Sequence, residues 1–474
     1  MANPRVVVVG AGAAGIAAAS KLYQSGITNV TILEASDRYG GRLHTTPFGS
    51  AGVVELGAQW CHGEQGNVVH ELASGFPGLL KSSVAAEKIV LVRSNGQRVD
   101  PDVFERLMAM SEALVESEER DEFEGSLGEF FTAKYWEKID KEESFRDVER
   151  ALAEQFLVYY YNYNRGYNAY DSWYEVAAQE TDSYEPAEGN QALAWTGPKG
   201  FSTVLDILSG NYPSSSLAPV PLEQLTKFNE LVTNIDWRET PAHTVIVTTK
   251  IGSCYDVDHV ILTVPLGVLK EAYRTLFTPP IPSINQNAIE GIYFGTLNKV
   301  FLSFDTPIPE QLGNVLHMLW YENDLKTLRE SKHSWAEAVS TFSRVDGQPN
   351  ALCAWLNGPE GRQAEQLPDD TVQEGLLYLL SIFANNVHFG KVQAILRSNW
   401  SSNRLFRGSY SSRSITTERM QTGAKYLTYP LMDAMNTPRV LMAGEATSHV
   451  HYGTVQGAIE SGQREAQRLI DLYK

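Results

Sequence analysis

Arg5-Val6-Val7-Val8-Val9-Gly10-Ala11-Gly12-Ala13-Ala14-Gly15 is the stretch that decides the fold. Four consecutive valines read as a strand buried on both faces, as in a parallel sheet. Gly10-x-Gly12-x-x-Gly15 turns the chain into a helix over Ile16–Leu22, which Gly26 stops, and Val30–Leu33 returns as a second strand. This is a βαβ unit in about 30 residues. The first glycine permits the tight bend, the second lets the backbone approach a pyrophosphate, and the third lets helix pack on strand. The helix N-terminus offers unpaired N–H groups and partial positive charge to that anion. Glu34 ends the second strand 19 residues past Gly15, where a carboxylate accepts hydrogen bonds from a ribose diol. The fingerprint alone does not choose between nicotinamide and flavin dinucleotides.

The composition is that of an ordinary globular protein. Of 474 residues, 43% are hydrophobic and 10% aromatic, which excludes disordered and collagen-like chains and allows about two or three domains. The 39 basic and 57 acidic residues give a net charge of −18, a poor match to nucleic acid or anionic membrane and an attraction for a small cationic substrate. Cys61, Cys254 and Cys353 match no metal spacing and no disulfide framework, so no metal and a reducing compartment are expected. Met1-Ala2-Asn3-Pro4 precedes an apolar run too short to span a membrane and lacking signal-peptide features, and no later run approaches about 18 residues. Asp471-Leu472-Tyr473-Lys474 is not a peroxisomal tripeptide. A cytoplasmic monomer or weak dimer is expected, with a peroxisomal location left open.

Outward from the first unit, strands are expected over Val53–Leu56, Thr244–Thr249, Tyr255–Val264, Lys299–Phe304, Leu352–Leu356 and Arg439–Ala443. A hairpin is expected over Val84–Val99 with Asn95-Gly96 as its turn. Residues 101–163 have helical period, and a last helix runs from Thr454 to Ile470. No internal repeats and no long linker separate these pieces.

The continuation Glu34-Ala35-Ser36-Asp37-Arg38-Tyr39-Gly40-Gly41-Arg42 resembles the extended motif of the flavin-containing amine oxidase superfamily. Val54-Glu55-Leu56-Gly57-Ala58-Gln59-Trp60 resembles its segment beneath the flavin, and Leu231–Ile235 the strand whose valine packs against adenine. Ile261–Pro265 is similar to its crossing strand. Gly444-Glu445-Ala446-Thr447 and Tyr452–Ala458 resemble its C-terminal flavin segment. Within the superfamily, Gly57–Gly63, Leu297-Asn298-Lys299-Val300, Phe406–Tyr410 and Ser461–Ala466 are most similar to polyamine and spermine oxidases.

The resemblance implies an α/β fold: a Rossmann-like FAD-binding domain of the GR2 type with a second, discontinuous α+β substrate-binding domain. The FAD domain is expected from 1–80, 195–270 and 398–474, and the substrate domain from 81–194 and 271–397. It assigns Gly10, Gly12, Ala14, Gly15, Glu34, Arg42, Gly57, Ala58, Gln59, Trp60, Val232, Trp400, Glu445, Thr454 and Val455 to FAD. Ser409 stands where monoamine oxidases tether flavin through cysteine, so the FAD is expected to be non-covalent.

Lys299 matches the lysine that holds a water near flavin N5, and burial would depress its pKa into a useful range. His62 and Trp60 share a face of an extended segment, at the mouth of the substrate tunnel by resemblance. A histidine there bonds a substrate nitrogen or keeps it neutral. Tyr410 and Tyr452 match the aromatic planes flanking the amine. Gly453 and Thr454 complete the substrate end, Gly453 leaving room where relatives carry a hydroxyl. The plainer readings are a solvated strand-end lysine, a core histidine and packing tyrosines.

One departure stands out. Tyr159–Glu175 is rich in Tyr and Asn, with Asp171 and Glu175 its only acids. A distal acetylated or neutral group, or a different amine, would fit such a tunnel. The expected activity is oxidation of a secondary amine of spermine, spermidine or their N-acetyl forms by hydride transfer to flavin N5, with O2 reduced to H2O2 and the imine hydrolysed. Oxidation of a monoamine, amino acid or peptidyl lysine, or non-catalytic FAD binding, stays open.

Overall fold

The valine run forms strand Val6–Val9 inside a six-stranded sheet, with no residue more than 4% exposed. The computed structural model describes residues 3–49, 52–179, 184–238 and 244–474, so Met1-Ala2 lie outside it. Val6–Val9 pairs in parallel with Val30–Leu33 on one side and His259–Leu262 on the other. Thr226–Lys227 and Pro438–Met442 extend the parallel set outward, and Leu431–Met432 closes one edge antiparallel. Helix Ala13–Gln24 starts directly after Gly12. It crosses the last helix, Val455–Leu472, at backbone contact, because a Cβ on Gly462 would fall 2.1 Å from the Ala14 carbonyl oxygen.

A second six-stranded sheet runs in the order Val392–Arg397, Leu297–Phe304, Gln348–Asn357, Val339–Val345, Val315–Leu319, Ile89–Arg93. It is antiparallel except for its last pair. Alternate residues point to opposite faces. Val300, Leu302, Leu316, Phe342, Leu352 and Ala354 pack against Leu376 and Leu380 of helix Asp369–Phe383. On the other face Phe301, Ala351 and Cys353 join a second apolar cluster with Phe48 and Val54, while Lys299, Val315, His317, Thr341, Ser343 and Trp355 line a cavity. The whole is a mixed α/β fold with several sheets.

Two expectations are corrected. Tyr255–Val264 is not one strand. It breaks at Asp258, whose carboxylate accepts from the Arg5 backbone N–H and guanidinium. Cys254–Val257 joins a small sheet with Val245–Thr249 and Val232–Asp236, while His259–Leu262 joins the parallel sheet. The Val84–Val99 hairpin forms in shorter bounds: Gly96 N–H donates to Arg93 O at 2.8 Å, Arg93 N–H to Gln97 O at 2.8 Å and Val99 N–H to Leu91 O at 2.9 Å, with Val92 opposite Arg98. Its first arm starts at Ile89, because Val84–Ala86 is a turn of 3-10 helix, and the other edge of Ile89–Arg93 pairs with Val315–Leu319. The helical region resolves into Pro101–Val115, Leu127–Lys141 and Arg150–Asn168.

Candidate active site

A cavity of about 680 Å³ is lined by residues of both large sheets. It gathers Gly10, Gly12, Ala14, Glu34, Arg42, Gly57, Ala58, Gln59, Trp60, His62, Val232, Lys299, Trp400, Tyr410, Glu445, Tyr452, Gly453, Thr454 and Val455. Gly15 lies outside the lining. A Cβ there would sit 1.9 Å from the Gly10 carbonyl oxygen, so this glycine serves the strand–helix contact.

At one end the wall is bare backbone. A Cβ on Gly12 would meet nothing closer than Gly40 O at 3.8 Å. Glu34 Oε2 accepts from Ala11 N–H at 2.7 Å, and Oε1 accepts from Ser36 N–H and Oγ–H at 2.8 and 2.7 Å. The carboxylate thus fixes the glycine turn and keeps lone pairs for a further donor. Arg42 Nη1 donates to Glu445 Oε1 at 2.7 Å and to Ser409 O at 2.8 Å. Glu445 Oε2 accepts from Ser411 Oγ–H at 2.5 Å and Gly453 N–H at 2.7 Å. Trp400 Nε1 donates to Leu56 O at 3.3 Å.

The Thr454 hydroxyl is spent within the protein. It donates to His451 O at 2.7 Å and accepts from Gly457 N–H at 3.0 Å, capping the helix that begins at Val455. Gly453 has φ +72°, and a Cβ there would lie 3.2 Å from the Tyr410 ring. The backbone turn requires glycine, which is a stronger reason than extra room.

At the other end Lys299 is 4% exposed. Its ammonium donates to Glu55 O, Gly57 O and Gln59 Oε1 at 2.8, 2.7 and 2.7 Å, and lies 4.5 Å from the Trp355 ring centre. Burial lowers its pKa to about 8. Trp60 stacks on Trp355, ring centres 5.5 Å apart, and meets His62 edge-on at 6.4 Å. Among the described residues its buried Nε1 has no hydrogen-bond partner. His62 Nδ1 lies 2.7 Å from Gln191 O, so it carries the proton and leaves the Nε2 lone pair free. Burial lowers the His62 pKa and keeps the ring neutral. Tyr410 OH donates to the Gly166 and Tyr167 carbonyls of the covering helix, and Tyr452 packs edge-on against Tyr184.

A glycine wall ahead of a helix, a carboxylate at the strand end, a second helix N-terminus at Val455 and an unpaired indole N–H fit a dinucleotide with a polar ring system. The profile of flavin containing amine oxidoreductases matches residues 13–470. The chain belongs to this family. The family's flavin makes FAD the cofactor.

Full-length relatives agree. The amine oxidase chain is 29% identical to peroxisomal N(1)-acetyl-spermine/spermidine oxidase of Bos taurus, covering 99% of this chain and 95% of that one. The Homo sapiens protein of the same name is 30% identical over 99% and 96%. Probable polyamine oxidase 5 of Arabidopsis thaliana is 25% identical over 99% and 98%.

Asp171 and Arg165 of the tyrosine-rich segment are bound elsewhere, and Glu175 is exposed. Asp171 pairs with Arg362 through two hydrogen bonds of 2.7 and 2.6 Å. Arg165 is buried on Asn357 and Glu360. Neither these two nor Glu175 lines the cavity. The sequence reading missed His317, Thr341, Ser343 and Trp355, which do line it. The available signal was period 2: polar or aromatic residues alternating with Leu316, Met318, Phe342 and Ala354 in strands that are aliphatic on their other face. No helix among the described residues is long and apolar enough to cross a membrane, and none of their His, Cys, Asp and Glu side chains form a metal-holding group.

Proposed function

We propose that this amine oxidase is a polyamine oxidase, acting on a secondary amine of spermine, spermidine or their N-acetyl forms. The observation that carries the reading is the juxtaposition of Lys299, Trp60, His62, Tyr410 and Tyr452 on one cavity with the dinucleotide cradle. Amine, O2 and water would yield aldehyde, shorter amine and hydrogen peroxide. Bound FAD supplies the two-electron acceptor for oxidation of the carbon beside nitrogen and passes the electrons to O2.

The chain's own residues would do the rest. The His62 Nε2 lone pair takes a proton from the approaching ammonium, giving the neutral amine that can lose hydride. Tyr410 and Tyr452 enclose the amine between apolar planes and exclude water. Lys299, with a pKa near neutrality, holds an exchangeable proton at the reaction end. Arg42 and Glu445 tie the cofactor segments into one rigid wall.

We assign the parallel sheet to a Rossmann-like, non-covalent FAD domain built from 1–80, 195–270 and 398–474. The antiparallel sheet belongs to a substrate domain built from 81–194 and 271–397. The strand membership of the two sheets supports this division. The position of Asp171, Glu175 and Arg165 outside the cavity lining favours a neutral distal group over a free ammonium or a carboxylate. The test is peroxide release by FAD-loaded protein with spermine, spermidine, both N-acetyl forms, a monoamine and a basic amino acid. Release from a polyamine supports the reading. Release only from the monoamine or amino acid, or from none, overturns it.

A further inference from the structure

One row of side chains crosses the antiparallel sheet on its cavity face. Lys299 pairs with Trp355, Trp355 with Thr341, and Thr341 with His317, in direct cross-strand register. All four line the cavity. Three strand spacings separate the ends of the row, about 14 Å. Lys299 marks the reaction end, so His317 lies at the opposite end of the row.

The chemistry of His317 is fixed by its surroundings. It is 4% exposed and ringed by Phe104, Tyr159 and Tyr163, with ring centres 5.3–6.0 Å away. The buried Tyr159 hydroxyl lies 2.7 Å from His317 Nδ1, its one hydrogen-bond partner among the described residues. The phenol therefore donates, Nδ1 accepts, and the ring proton sits on Nε2. Burial holds the imidazole neutral, its pKa pushed down to about 3. Among the described residues neither His317 Nε2 nor the half-buried Thr341 hydroxyl has a hydrogen-bond partner. The carboxylates lining the cavity are Glu34, Glu230 and Glu445, which lie at the glycine turn, beside Val232 and at the Gly444 turn.

We propose that His317, with Thr341, is the specificity anchor for the far end of the amine, binding an uncharged carbonyl oxygen such as that of an acyl amide. A fixed N–H donor meets a carbonyl acceptor. A free ammonium at the same place would be desolvated opposite another donor, with no carboxylate among the cavity-lining residues at that end to pair it. This inference rests on the polyamine oxidase reading and adds the residue that measures the substrate.

The test compares N1-acetylspermine, spermine and dibutylamine, which has no distal polar group, on FAD-loaded wild type, His317→Ala and His317→Gln. His317→Ala is expected to raise the KM for N1-acetylspermine about tenfold, one hydrogen bond's worth, with kcat within about twofold. The KM for dibutylamine stays unchanged, and His317→Gln, which keeps a donor, recovers part of the loss. Should His317→Ala lose its FAD, Thr341→Val carries the test, with the KM ratio of N1-acetylspermine to dibutylamine rising about threefold. An active wild type whose variants leave that ratio unmoved overturns the anchor alone. A wild type that oxidises none of the three, nor spermidine or N-acetylspermidine, overturns the anchor together with the reading beneath it.

Discussion

Arg42 and Glu445, 403 residues apart in sequence, meet in a 2.7 Å ion pair with the Glu445 side chain 4% exposed. The same carboxylate accepts from Ser411 and Gly453, so one side chain joins three distant segments of the cavity wall. Breaking a buried pair by removing one partner strands the other charge. Glu445→Ala is expected to cost about 3–5 kcal/mol in urea unfolding. Glu445→Gln, which keeps one oxygen to accept from Ser411 Oγ–H and Gly453 N–H but turns a donor NH2 towards Arg42, should cost less than alanine. Equal losses would mean that the charge alone, and not the hydrogen bonds a neutral amide can keep, carries the stabilisation.

Lys299 gives a pH signature. Its folded pKa is about 8 against an ordinary 10.5, because burial disfavours the cation. Between those values the unfolded chain binds more protons than the folded one, so stability rises with pH from about 8 towards 10.5. Below 8 the cost of burying the ammonium is constant. The wild type should show a turnover limb near pH 8 and this stability slope, and Lys299→Met should lack both. A limb that persists in the variant assigns it to another group.

Much of this was legible in order along the chain, and the reason is local chemistry. Gly10 and Gly15 announce themselves because only glycine tolerates such backbone approaches, Gly12 completes their spacing, and Lys299 is conspicuous in an apolar strand. Thr454 was found as a site residue, but its capping role depends on His451 O and Gly457 N–H, which only the folded turn brings together. His317 and Thr341 were missed because their period-2 alternation marks a polar strand face but does not tell a cavity face from a solvated one. Their meaning comes from register, which pairs residue 317 with 341 and 341 with 355. The break at Asp258 was invisible for the same reason, since its partner is Arg5.

His62 should set the acid side of the profile. Burial lowers its pKa below the ordinary 6.5, and the Gln191 carbonyl holds the proton on Nδ1. The free Nε2 lone pair is lost only when pH falls below that lowered value. His62→Gln is expected to reduce kcat/KM about a hundredfold and to remove the corresponding acid limb. An unchanged limb in the variant would make His62 a packing residue.

Gly12 and Gly15 separate binding from folding within one motif. A Cβ on Gly15 would lie 1.9 Å from Gly10 O, so Gly15→Ala must push the helix off the strand. It should lower the melting temperature of the FAD-free protein and abolish FAD retention together. Gly12 differs. Its φ of −76° suits alanine, and the nearest atom to a Cβ is 3.8 Å away. The FAD-free Gly12→Ala protein should therefore match or exceed wild-type stability, by about 0.4–1 kcal/mol through the unfolded state. The added methyl nevertheless stands on the bare wall where the backbone would approach the pyrophosphate. FAD-to-protein ratios from absorbance after gel filtration should fall at least about tenfold for Gly12→Ala. A stable Gly12→Ala protein that keeps its full FAD would put the pyrophosphate somewhere other than this turn.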